Sequence, residues 1–115
     1  MDSANPSKRT ELRYAFAGWV LDQRNHELLA PSGKSIALTK NEYALLCALV
    51  SAPRRALTRE HLLQTTRVHE DVYDRSIDVQ ILRLRRKLED DPARPQLIRT
   101  KRGVGYILQA DVTIL

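Results

Sequence analysis

Between Asp74 and Glu89 the chain reads D-R-S-I-D-V-Q-I-L-R-L-R-R-K-L-E, with Arg75, Arg83, Arg85, Arg86 and Lys87 packed into one short segment. Guanidinium groups can pair bidentately with a guanine edge or with phosphate oxygens, so their arrangement decides the chemistry. On a helix advancing about 100° per residue, with Ile77 as zero, Ile81, Leu84 and Leu88 fall within about 40° of it. These four make one narrow apolar stripe that must face a core. The opposite side, between about 140° and 280°, carries Arg75, Ser76, Val79, Leu82, Arg83, Arg86 and Lys87. A cationic helix face with Val79 and Leu82 set into it suits a major groove. Arginine reads guanine there, and small apolar groups pack on thymine methyls. Val79 and Arg83 lie one turn apart and can both meet base edges, with Leu82 beside them. Arg75, Arg86 and the flanking Gln80 and Arg85 are better placed for phosphates. The plainer reading is a solubilising surface whose arginines pair with Asp78, Glu89 and their neighbours. Two exposed apolar residues inside a basic face favour a binding surface. Asp78 is expected to pair with Arg75 or Arg85.

A second cationic element follows after one loop. Leu97 to Thr100 and Tyr106 to Leu108 read as strands around Lys101-Arg102-Gly103-Val104-Gly105, a hairpin with a basic tip. Gly103 and Gly105 permit close backbone approach, and Arg102 is presented in a way that suits a narrow minor groove. R-G-x-G alone could be only a tight turn. Following a basic helix, it reads as the wing of a winged helix-turn-helix.

The elements that must hold these two in place are legible upstream. Residues 1–10 lack periodicity and read as a flexible leader. From Glu11 to Leu38 short strands alternate with turns at Asp22–Asn25 and Pro31-Ser32-Gly33, which implies a small antiparallel sheet. Thr39-Lys40-Asn41-Glu42 is a capping box, with Leu38 and Tyr43 as its staple, and opens a buried helix that Ser51-Ala52-Pro53 ends. Thr58 caps a second helix, with Glu60 in its first turn, fading near Thr65-Thr66. The stretch from Arg67 to Tyr73 reads as a loop. Asp74 is the expected N-cap of the third helix, 74–89, which Asp90-Asp91-Pro92 stops. The domain is expected over 11–110 and a tail over 111–115.

The totals narrow the function further. At 115 residues the chain fits one domain. The formal net charge is +5, and residues 75–102 carry nine Lys/Arg against four acids. All the excess positive charge therefore sits in that stretch, which points first to nucleic acid and second to an acidic membrane surface. The longest apolar run, Tyr43 to Val50, is far too short to span a bilayer. The polar start lacks a secretory pattern, and a single cysteine, Cys47, excludes an internal disulfide framework, so a reducing cytoplasm is expected. Cys47 and Trp19 read as core residues. His26, His61 and His69 lack ligand spacing, and no metal, cofactor or catalytic group is expected.

Taken in order, these motifs are familiar. Y-A-F-A-G-W-V-L-D (Tyr14–Asp22), L-T-K-N-E-Y-A-L-L (Leu38–Leu46), L-T-R-E-H-L-L (Leu57–Leu63), the helix segment to Pro92 and L-I-R-T-K-R-G-V-G-Y (Leu97–Tyr106) resemble the effector domains of OmpR/PhoB-type response regulators. R-V-H-E-D-V-Y-D-R-S (Arg67–Ser76) and the tail Ala110-Asp111-Val112 look most like the VirG branch. The resemblance implies an α+β winged helix-turn-helix: a four-stranded N-terminal antiparallel sheet, three helices and a C-terminal β-hairpin wing. It implies sequence-specific binding of double-stranded DNA, with 74–89 as the recognition helix and 99–106 as the wing. Positions matching Val79 and Arg83 contact bases in the family, those matching Arg75, Gln80, Arg85 and Thr100 contact phosphates, and that matching Arg102 enters the minor groove. The loop from Gln64 to Tyr73, with Arg67, His69, Glu70 and Asp71, matches a segment that contacts RNA polymerase. Direct repeats bound by head-to-tail pairs are implied as well. Leu82 departs from the family, standing where a polar or basic residue is common. The phosphorylatable receiver domain, target of a sensor kinase, has no counterpart in a chain of this length, which reads either as an excised effector fragment or as a stand-alone one.

Overall fold

The computed structural model describes residues 12–67 and 76–115. Four strands come first: β1 (Arg13–Phe16), β2 (Trp19–Asp22), β3 (Glu27–Leu29) and β4 (Ser35–Ile36). They pair antiparallel in sequence order, with Tyr14 opposite Leu21 and Leu21 opposite Leu28. That register stacks the buried side chains of Leu21 and Leu28 on one face. The Pro31-Ser32-Gly33 turn forms as expected, with Gly33 at φ 90° and its N–H donating to Ala30 O at 2.8 Å.

Three helices follow: α1 (Lys40–Ser51), then α2 (Arg59–Arg67) after the strand β5 (Ala56–Thr58), then α3 (Ile77–Leu88). The capping box at Thr39 closes on both sides. The Glu42 N–H donates to Thr39 Oγ1 at 3.1 Å, and the Thr39 N–H donates to Glu42 Oε1 at 2.9 Å. The Thr58 hydroxyl caps α2 by accepting from the His61 N–H at 3.0 Å. Helix α2 runs on to Arg67, past the expected fading point. The Thr65 and Thr66 hydroxyls bond back to carbonyls of Leu62 and Leu63, so they are satisfied inside the helix.

The chain ends in the hairpin β6 (Ile98–Lys101) and β7 (Gly105–Leu108), then β8 (Thr113–Ile114). Two features differ from expectation. Strand β5 pairs with β7, so the wing hairpin is part of a three-stranded sheet ordered β5-β7-β6. Residues 111–115, expected as a tail, return to the first sheet, where β8 pairs with β1 and makes a fifth strand. Arg54 Nε donates to Asp111 Oδ1 at 2.7 Å and pins the start of that return. Two- and three-residue strands carry too little alternation to be read from sequence.

The core joins both sheets to all three helices through Phe16, Leu21, Leu28, Leu45, Leu49, Leu62, Ile81, Leu84, Ile98 and Leu108. The α3 stripe of Ile77, Ile81, Leu84 and Leu88 is buried as its spacing requires. Trp19 and Cys47 pack against this core only half-buried. The order of helices, with a hairpin beside the third, is the winged helix-turn-helix arrangement.

Candidate nucleic-acid interface

Helix α3 starts at Ile77, later than expected, because Ser76 rather than Asp74 caps it: the Val79 N–H donates to Ser76 Oγ at 3.3 Å. Asp74 itself lies outside the described residues, as do Arg75, His69, Glu70 and Asp71, while Arg67 is the last residue of α2. With its core side fixed, α3 presents three further sides, and the structure gives each a different task.

The side opposite the core stands open. Val79 is 37% and Leu82 40% exposed, and Arg83 and Arg86 are exposed with them. Cations and two apolar side chains thus share one solvent-facing surface, as their angular positions dictate.

The side near 80–100° faces the wing. Arg85 Nε donates to Ile98 O at 2.9 Å and one terminal nitrogen donates to Thr100 Oγ1 at 3.0 Å. Of the two partners expected for Asp78, Arg75 lies outside the described residues and Arg85 turns to the wing. Asp78 Oδ1 instead accepts from Arg59 Nε at 2.9 Å and from the Tyr106 hydroxyl. The Tyr106 hydrogen bond, then the Arg59 guanidinium, hold the Asp78 carboxyl below the usual carboxylate range, against some desolvation. Burial first, and then the neighbouring carboxylate, raise the Tyr106 phenol in return. Arg59 follows a strand too short to anticipate, so sequence alone did not single it out.

The side near 280–300° faces α1. Lys87, expected on the open basic face, turns to the N-terminus of α1. Its Nζ donates to Ala37 O at 2.8 Å and to Glu42 Oε1 at 2.5 Å. Gln80, expected at a phosphate, is 5% exposed and its Oε1 has no hydrogen-bond partner. At about 70° from the centre of the apolar stripe, it lies on the buried flank of the helix rather than on its open side.

The wing turn presents Lys101, Arg102, Gly103 and Val104, all exposed, with Gly103 at φ 78°. The Val104 N–H closes the turn on Lys101 O at 2.9 Å. Gly105 is required for a different reason: a Cβ there would lie 1.9 Å from Leu57 O on β5. Thr100, one residue before the turn, is exposed and held by Arg85.

Among the described residues, no cluster of three or more His, Cys, Asp or Glu could hold a metal, and no helix is long and apolar enough to cross a membrane. His26 stacks on Tyr43, with ring centroids 4.4 Å apart.

Comparison with known proteins agrees with this geometry. The chain is 53% identical over 102 residues to the regulatory protein VirG of Agrobacterium fabrum, covering 88% of this chain and 40% of VirG. It thus spans under half the length of that relative. Its fold superposes with a TM-score of 0.72 on the Klebsiella pneumoniae RstA DNA-binding domain solved with the RstA box, at 30% identity, covering 84% of this chain and 96% of that one. The Thermotoga maritima response regulator DrrB, an OmpR/PhoB homolog, gives a TM-score of 0.73 at 36% identity, covering 84% of this chain and 44% of DrrB. The family model described as "Transcriptional regulatory protein, C terminal" matches residues 33–108. With that match over most of its length and the helices and wing in their places, the chain belongs to the transcriptional regulatory protein C-terminal family of the OmpR/PhoB type.

Proposed function

We propose that this domain binds double-stranded DNA sequence-specifically, as the effector part of a two-component response regulator in the cytoplasm. The observation that carries the reading is the open side of α3, where Val79, Leu82, Arg83 and Arg86 share one exposed surface beside an arginine-tipped wing. Val79, Leu82 and Arg83 meet base edges in the major groove, and Arg102 enters the adjacent minor groove. Arg86, Thr100 and Arg75 are the assigned phosphate contacts. Arg85 joins them through the guanidinium N–H groups that the wing does not use, since arginine has five. The related RstA DNA-binding domain, solved with the RstA box, supports the reading by kinship.

The proposed role is binding rather than catalysis, because the cations stand on an exposed helix face and a turn. Family resemblance extends the proposal to direct-repeat sites bound head to tail, to RNA polymerase contact through the loop carrying Arg67, His69, Glu70 and Asp71, and to control by a receiver domain and its sensor kinase.

Selection from a random duplex pool tests this directly, followed by affinity measurement across salt. A recurring half-site is expected, with log affinity falling steeply against log salt as counterions leave the phosphates. No enrichment, or an affinity indifferent to salt, defeats the proposal.

A further inference from the structure

Helix α3 and the wing are separate elements, and reading two grooves together requires a fixed offset between them. One cluster away from the open face links them. The Tyr106 side chain on β7 is buried, 4% exposed. Its hydroxyl donates to Asp78 in the first turn of α3. Arg59, at the start of α2, bonds the same carboxylate oxygen and holds its guanidinium carbon 5.3 Å from the Tyr106 ring centroid. Arg85, from the last turn of α3, places its own 5.4 Å from that centroid. Arg85 also bonds Thr100, which is the cross-strand partner of Tyr106. One residue of β7 is therefore held by α2 and by two turns of α3, and through Arg85 it is linked to Thr100 on β6.

We propose that Tyr106, held by Asp78, Arg59 and Arg85, is the positioning residue that fixes the wing against the recognition helix, so that DNA discrimination depends on a buried side chain. The inference rests on the DNA-binding reading above. Its physical basis is preorganisation: a wing already set at its docking angle loses less freedom when both grooves are engaged. Binding to arbitrary sequence depends on phosphates that recur along the duplex, and it tolerates a rocking wing. Base reading depends on register and does not. Arg85 thereby has a task beyond its charge. Lysine would keep the charge and lose the two-point grip on Ile98 and Thr100.

The test uses Tyr106→Phe and Arg85→Lys in the whole chain, with urea unfolding to establish that both variants are folded at the assay temperature. The probes are a duplex enriched from a random pool by the unaltered chain and a shuffled duplex of equal length. For each variant, affinity for the enriched duplex is expected to fall roughly five- to tenfold, the scale of one lost buried hydrogen bond. For Tyr106→Phe, affinity for the shuffled duplex should stay within about twofold and the salt slope should not change, because no charge and no assigned phosphate contact is altered. Without DNA, 15N relaxation dispersion at Arg102, Gly103 and Val104 should reveal new microsecond–millisecond exchange. A structural role alone would lower both affinities together. For Tyr106→Phe, equal losses on both duplexes, no loss on either, or unaltered wing relaxation overturns the proposal. An unaltered chain with no preference for its enriched duplex defeats the DNA reading instead, and the relaxation measurement still judges the tether.

Discussion

Lys87 Nζ lies 2.5 Å from Glu42 Oε1, and the Glu42 side chain is only 4% exposed. The same carboxylate oxygen accepts the Thr39 N–H that closes the α1 capping box. One buried acid therefore both starts α1 and anchors the last turn of α3, fixing two neighbours of the core at once. The cation that sequence placed on the DNA-facing side is a structural fastener.

Replacing Lys87 with methionine keeps the packing stem and removes the charge, leaving Glu42 buried without its ion partner. Breaking such pairs costs about 3–5 kcal/mol when both groups are deep. Lys87 is about a third exposed and Glu42 keeps the Thr39 N–H, so a loss of about 2 kcal/mol is expected. Urea denaturation measures it. The slope of DNA affinity against salt should not change, and a slope reduced by one charge would make Lys87 a phosphate contact.

The two wing glycines separate strain from collision. Gly103→Ala meets open space but sits at φ 78°, so it should cost about 1–2 kcal/mol. Gly105→Ala drives a Cβ into backbone of β5 and should cost more than about 3 kcal/mol or prevent folding. Thermal unfolding of the two variants gives the order directly. A Gly105→Ala domain as stable as Gly103→Ala would mean that β5 does not pack on β7 in this way.

Asp78 gives the fold a pH dependence with a definite sign. Its carboxyl is lowered by the Tyr106 hydroxyl first and by Arg59 next. A depressed folded value means the charged form favours the folded state. That contribution is fully present above the ordinary carboxylate value of about 4 and disappears as pH falls through the lower folded value. Asp78→Asn lacks the titration. Urea midpoints measured from pH 6 downwards should show the unaltered protein losing its advantage over Asp78→Asn in the acid range. A gap that stays constant with pH would contradict the assignment.

Arg83→Ala should lower affinity for the selected site by about 1–3 kcal/mol and relax preference at a single base pair. Competition binding against single-base variants of that site measures both effects. A loss of the same size on shuffled DNA would make Arg83 a phosphate contact rather than a reader.

The sequence was informative wherever a local pattern had one physical solution. The Thr39–Glu42 spacing can close only as a capping box, and it does. The spacing of Ile77, Ile81, Leu84 and Leu88 can bury only one side of a helix, which leaves Val79, Leu82 and Arg83 outward. It was silent where the answer lay with a distant neighbour. Strands β5 and β8 are too short to carry a period, and they exist because β7 and β1 offer edges to pair with. Lys87 and Arg86 are adjacent in the chain and alike in charge, yet Lys87 closes on a buried acid 45 residues away while Arg86 stays exposed. By itself the sequence determined which side of α3 is apolar and which is cationic. Only the tertiary structure decided which flanking groups on that helix remain available and which are held by α1, α2 and the wing, because side chains of the same type differ only in the partners the fold brings within hydrogen-bonding distance.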